Sequence, residues 1–188
     1  MKRDKRIVLV AHCLLNCNSK VEGLAQYQGA LREIVNPILE AGVGIIQLPC
    51  PELTLYGTKR WGHVKEQFDT PYFREHCREI FGPYLRQIKD YLSSDYQIIG
   101  LIGVDGSPSC GVNKTCSSNR WGGEFLETTS IQDKIEDLDY SNNSGVFIEE
   151  IRQVLNREEI DIPLLAIDET EPKKSKEKIK ELLQGGLK

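Results

Sequence analysis

Apolar residues fall along this chain in two rhythms. Short, nearly unbroken runs form the first: Ile7-Val8-Leu9-Val10-Ala11, Gly44-Ile45-Ile46-Gln47-Leu48, Gln97-Ile98-Ile99-Gly100-Leu101-Ile102-Gly103-Val104 and Pro163-Leu164-Leu165-Ala166-Ile167. Runs this short, with little polar alternation, predict strands buried on both faces. Between them, apolar positions recur at helical spacing. Leu31, Ile34, Val35, Ile38 and Leu39 share one face of a predicted helix, which Pro37 is expected to kink and Gly42 to end. Thr70-Pro71 supplies an N-cap and a first-turn proline for a second helix, with Phe73, Cys77, Ile80 and Phe81 on one face. Gly82-Pro83 is expected to interrupt it before Tyr84, Leu85, Ile88 and Leu92 continue the stripe. Phe147, Ile151, Val154 and Leu155 mark a third helix, and a charged one follows from Pro172 to Gln184.

Strands that alternate with helices imply right-handed crossovers and a mainly parallel sheet. The predicted fold class is therefore α/β: a three-layer Rossmann-like domain with a short, mostly parallel sheet of about four or five strands. The length suits one domain over residues 1–188. Two stretches escape the pattern. Leu53 to Asp69 reads as irregular, and the polar stretch from Asn113 to Asn143 is too long for a plain connection, so it reads as a functional loop or lid.

Charge and composition narrow the function classes. Acidic residues outnumber basic ones by 28 to 24, which argues against nucleic acid or an anionic membrane as the main partner. No run approaches the ~20 apolar residues of a membrane span. The start, Met1-Lys2-Arg3-Asp4-Lys5-Arg6, faintly resembles a signal peptide, but His12 and Cys13 interrupt the apolar run behind it. A cytoplasmic location is the expectation. Six cysteines, at 13, 17, 50, 77, 110 and 116, would then stay reduced. Metal binding or catalysis becomes the reading to test.

Three of those thiols share a position in the pattern. Cys13 follows the first predicted strand, Cys50 the second and Cys110 the third. Ligands of open α/β sheets bind outside the carboxyl ends of the strands. Neighbouring strands lie ~4.8 Å apart, so thiols from adjacent strand ends can reach one inorganic core. Such a set can hold zinc or an iron–sulfur cluster. Structural zinc takes four ligands, often in CxxC pairs, and the chain has no CxxC. Soft sulfur donors favour a cluster among the options.

The strings around these cysteines carry a resemblance. Cys13-Leu14-Leu15, Cys50-Pro51-Glu52 and Gly106-Ser107-Pro108-Ser109-Cys110-Gly111 are similar to the three motifs of the 2-thiouracil desulfurase family, over roughly residues 7 to 111. The resemblance implies a [4Fe-4S] cluster held by Cys13, Cys50 and Cys110, with a fourth iron that binds the sulfur of a small thiocarbonyl or thiol compound. It implies Glu52 as the acid/base carboxylate and Ser107 as the substrate-positioning serine. Asn16 stands where glycine is usual in that family, Cys17 is an addition, and residues 53–62 lack the usual glycine- and proline-rich run. These departures point to a related desulfidase with a substrate other than thiouracil.

Other residues have plainer readings. Cys77 reads as core, while Cys17 and Cys116 could be a fourth ligand, a sulfur acceptor or bystanders. His12 reads as a packed histidine, His76 as an exposed helix position, and Lys173 to Lys180 as a solvated helix face. Lys59, Arg60, Trp61 and His63 could form a basic, aromatic wall against a heterocycle, or simply a solvated surface. The competing functions are a zinc protein, a sulfur or iron–sulfur carrier, and a thiol redox protein that uses Cys13 and Cys17.

Overall fold

The structure is a computed structural model that describes residues 3–124 and 130–185. In chain order its elements are β1 (Arg6–Val10), α1 (His12–Leu15), a 3-10 turn (Cys17–Ser19), α2 (Arg32–Glu40), β2 (Gly44–Gln47), α3 (Pro51–Tyr56), α4 (Lys65–Phe68), α5 (Pro71–Ser93) and β3 (Gln97–Val104). They continue with β4 (Thr115–Ser117), α6 (Ile131–Glu136), β5 (Asp139–Ser141), α7 (Val146–Arg157), β6 (Leu164–Ile167) and α8 (Pro172–Leu183).

Four strands form a parallel sheet in the order β2-β1-β3-β6. Leu9 of β1 lies between Ile46 of β2 and Leu101 of β3. Val8, Leu9, Val10, Leu101 and Ile102 are closed to solvent, which is why these strands read as unbroken apolar runs. Helix α2 packs on α8, and α5 packs on α7, so helices flank the sheet in a three-layer, Rossmann-like arrangement. From β1 the chain turns one way to β2, while β3 and β6 lie on the other side. The topological switch point therefore falls between β1 and β3, where such sheets open a crevice.

Several expectations are corrected. Gly82-Pro83 does not interrupt α5, which runs as 23 residues with Pro83 inside it. Phe73, Cys77, Phe81 and Ile88 all bury their side chains, and that packing outweighs one missing backbone donor. Leu39 is 60% exposed and lies off the buried face of α2, whereas Pro37 is buried inside that helix. The stretch from Leu53 to Asp69 contains most of α3 and all of α4. The stretch from Asn113 to Asn143 carries β4, α6 and β5, and the two strands pair antiparallel as a second sheet. Residues 125–129 of that stretch lie outside the described residues. Among the described residues no helix is long and apolar enough to cross a membrane.

Candidate active site at the carboxyl ends of the strands

Each cysteine of the predicted set is placed by the end of its strand. Ala11 donates its backbone N–H to Ile102, which holds the chain on the sheet one residue beyond β1. The single turn α1 follows, anchored by buried Leu14, and Cys13 is half-buried on it. Leu48 donates to Val10 and extends β2 in the same way. Cys50 then serves as N-cap of α3, its Sγ accepting from the Leu53 N–H at 3.4 Å, with Pro51 at the first helical position. This cap places Glu52 in the first turn of α3, where the residue is buried.

The loop after β3 is held from three sides. The Oδ1 of Asp105 accepts the backbone N–H groups of Val112, Asn113 and Lys114 at 3.0, 2.8 and 3.2 Å. The Ser107 hydroxyl oxygen accepts from the Cys110 N–H at 3.0 Å and the Ser109 N–H at 3.3 Å. Helix α7 has no side-chain cap at Gly145, and its first N–H groups go to this loop instead. Val146 donates to the Pro108 carbonyl, and Phe147 and Ile148 donate to that of Ser109. The approach is so close that a Cβ on Gly145 would lie 2.5 Å from the Ser109 carbonyl carbon. The loop carrying Cys110 is thus docked on a helix end that the sequence places 35 residues later.

The three thiols come within electrostatic range of one another. Burial pushes the Cys13 thiol up to about 12, and Cys50 and Glu52 push it the same way, while the Lys20 ammonium opposes them. Burial, then Cys50 and Cys13, hold the Cys110 thiol well above its ordinary value. Cys50 is raised by burial and by Glu52. Three desolvated sulfurs that resist one another's charge are a set that a positively charged inorganic core would convert to thiolates, with release of protons. No group of three His, Cys, Asp or Glu side chains among the described residues could hold a single metal ion. A cluster is a larger body than one ion, and an all-sulfur donor set at a switch point fits it.

Beside the thiols sits a buried polar system that the sequence did not announce. The Ser109 hydroxyl donates to Glu52 Oε1 at 2.5 Å and lies 3.6 Å from Cys110 Sγ and 3.3 Å from the Ser107 hydroxyl. Arg60 is buried, with Nε 3.3 Å from Glu52 Oε2, and it also donates to the carbonyls of Ser19 at 2.7 Å and Gly57 at 3.1 Å. On the β6 side, Lys20 pairs with Glu169, and the Tyr27 hydroxyl lies 2.5 Å from Glu169 Oε1 and 3.0 Å from the Cys13 carbonyl oxygen. Ser109 was at least inside the quoted motif, and Arg60 was read only as part of a basic wall or a solvated surface; Lys20, Tyr27 and Glu169 carried no usable signal.

The remaining candidates are sorted by position. Cys77 is fully buried in the core, as expected. Cys17 is buried as the first residue of the 3-10 turn, not exposed in a polar loop, and Cys116 lies on β4 beside Glu66. The proposed wall of Lys59, Arg60, Trp61 and His63 does not form as one surface. Arg60 turns inward, Trp61 is 76% exposed, and His63 is half-buried in a stack with Tyr56 and Phe68 at 5.0 and 4.8 Å. His12 is half-buried, and its carbonyl accepts from the Gln47 side chain. His76 is half-buried as well, 2.9 Å from the Thr54 hydroxyl. Two grooves of about 540 Å³ open at the far end of the molecule, one beside Arg6, Tyr96 and Gln97 and the other beside Leu155, Ile160 and Leu164. No residue of the thiol site lines either of them.

A protein of Methanocaldococcus jannaschii, described as "Uncharacterized protein MJ0003", is 42% identical over 112 residues, covering 60% of this chain and 71% of the relative. No solved structure matches the chain. The family model described as "Putative 2-thiouracil desulfurase" matches residues 5–133, which contain all three thiols, Glu52, Ser107 and Ser109, and the chain belongs to that family.

Proposed function

We propose that this protein is an enzyme that removes sulfur from a small thiocarbonyl or thiol compound and releases it as sulfide. In this reading Cys13, Cys50 and Cys110 hold a [4Fe-4S] cluster. The observation that carries it is the convergence of three strand-end thiols on a buried, doubly hydrogen-bonded carboxylate, Glu52. Bound there, a cluster with three protein ligands supplies an open iron as a Lewis acid for sulfur. The chain supplies the rest. Glu52 accepts a proton from the attacking water. Ser107 sits at the half-buried margin of the site and orients the substrate. A carrier needs no base beside its sulfur ligands, so the carboxylate favours a catalyst.

Anaerobic reconstitution tests this directly. The loaded protein should be brown, contain iron and acid-labile sulfide, and release sulfide from 2-thiouracil, other thio-nucleobases or small thiols. Cys13→Ala, Cys50→Ala and Cys110→Ala should each remove the iron. Glu52→Gln should keep the iron and slow sulfide release by about 10²-fold or more, as expected for loss of a general base. A colourless protein carrying one zinc per chain, or a fully loaded protein that releases no sulfide across the screen, would defeat the proposal.

A further inference from the structure

We infer that Ser109 is the proton relay of this site, passing a proton from Ser107 at its margin to the buried Glu52 carboxylate. The inference rests on the desulfuration reading above and adds a residue and a path to it. The problem it solves is geometric. Glu52 is 8% exposed, and its two oxygens face Ser109 and Arg60. A base so enclosed needs a conductor to reach a water molecule on a bound substrate. Ser109 is 1% exposed and lies between Glu52 and half-buried Ser107.

The hydrogen-bond directions are fixed by what each group can do. A carboxylate only accepts, so the Ser109 proton lies on Glu52 Oε1, at 2.5 Å. Ser107 accepts from the Cys110 N–H at 3.0 Å, while the Ser109 N–H approaches it at a longer 3.3 Å, a contact that yields its lone pair to an incoming water. With the Ser109 proton committed to Glu52, the 3.3 Å contact between the two hydroxyls has Ser107 as its donor. The chain runs one way: Ser107 to Ser109 to Glu52. The Cys110 amide at Ser107 also stabilises negative charge that develops on its oxygen as the proton leaves. Arg60, bonded to the carbonyls of Ser19 and Gly57, fixes Glu52 at the receiving end.

The step balances without any oxidant or reductant. Water gives a proton to Ser107 as the Ser107 proton passes to Ser109 and the Ser109 proton to Glu52. The water oxygen bonds to the thiocarbonyl carbon, and the electron pair of the carbon–sulfur π bond moves to sulfur. Return of the proton from Glu52 along the same path reaches sulfur, which leaves with the carbon–sulfur bonding pair as hydrosulfide; the hydroxyl oxygen becomes the carbonyl, and its proton passes to the hydrosulfide to give hydrogen sulfide.

The test compares wild type, Ser109→Ala and Ser109→Thr after anaerobic reconstitution, with the thio-nucleobase that wild type desulfurates fastest in the screen as probe. Four quantities are read: iron and acid-labile sulfide per chain, probe affinity by equilibrium dialysis, kcat, and the dependence of kcat on the deuterium fraction of the solvent. A relay predicts that Ser109→Ala keeps its iron and its affinity, loses about 10²-fold or more in kcat, and changes a curved deuterium dependence into a linear one. Ser109→Thr, which keeps the hydroxyl, should recover most of the rate. The relay is overturned if Ser109→Ala turns over within threefold of wild type, or if it loses its iron, which would make Ser109 a support of Cys110. Active wild type with active Ser109→Ala defeats the relay alone, whereas loaded wild type that releases no sulfide from any compound of the screen defeats the desulfuration reading and the relay with it.

Discussion

Arg60→Met probes the clamp on Glu52 through stability, independently of any cluster. The wild-type guanidinium lies 3.3 Å from Glu52 Oε2 and bonds two backbone carbonyls, and the two side chains are only 3% and 10% exposed. Removing one partner of a buried ion pair costs about 3–5 kcal/mol, because a charge is left without compensation. The contact is at the long end of bonding distance and Glu52 keeps its bond from Ser109, so the lower part of that range applies, about 3 kcal/mol. Methionine fills most of the space of the arginine stem, which keeps cavity effects small. In a chain of this size each kcal/mol lowers Tm by about 2–4 °C, so the expected drop is about 6–12 °C. Thermal unfolding of the reduced apoprotein, followed by circular dichroism, measures it. The double variant Arg60→Met/Glu52→Met removes both charges and should regain at least half of the loss. A single-variant shift under about 2 °C, or a double variant no more stable than the single one, would refute the clamp.

The docking of the Cys110 loop on α7 predicts that Gly145→Ala is disproportionately harmful. Its Cβ would lie 2.5 Å from the Ser109 carbonyl carbon and 2.9 Å from the Pro108 carbonyl oxygen, both backbone atoms, so the loop must shift. The variant should fold, with Tm lowered, yet take up less than half of the wild-type iron, and normal iron uptake would show that the loop tolerates displacement. A pH prediction follows from the raised thiols. Cys13 binds its proton more tightly in the folded state, up to about 12 against an ordinary 9.0. Stability from this source is complete below the unfolded value and is lost as pH climbs from that value through the folded one. Apoprotein Tm should therefore fall more steeply with pH above 9 in wild type than in Cys13→Ala, and parallel curves would contradict the burial argument.

How much of this was legible in the sequence varied with the kind of interaction. The strands at Ile7, Gly44, Gln97 and Leu164 were visible because burial on both faces leaves an uninterrupted apolar run. The α5 stripe was visible, but its continuity through Pro83 was not, because a proline signals a break locally while packing on both sides decides the matter. The stretch from Asn113 to Asn143 read as a functional loop or lid, and its strand pairing did not show, since a two-stranded sheet of three-residue strands leaves no period to read.

The sequence alone determined the sheet-forming segments, the position of Cys13, Cys50 and Cys110 just beyond three of them, and the motifs that carry the family resemblance. Those are local facts, written in hydrophobic runs and short strings. Only the tertiary structure decided which groups meet. The order β2-β1-β3-β6 brings the ends of β1 and β3 side by side. Glu52 and Ser109 are 57 residues apart in the chain and 2.5 Å apart in space. Arg60, readable as a surface cation, instead buries its charge against Glu52. Polar partnerships have no periodicity, and a buried charge is tolerable only where folding supplies its counterpart. That condition is met by the packed molecule as a whole, so no segment of sequence could state it.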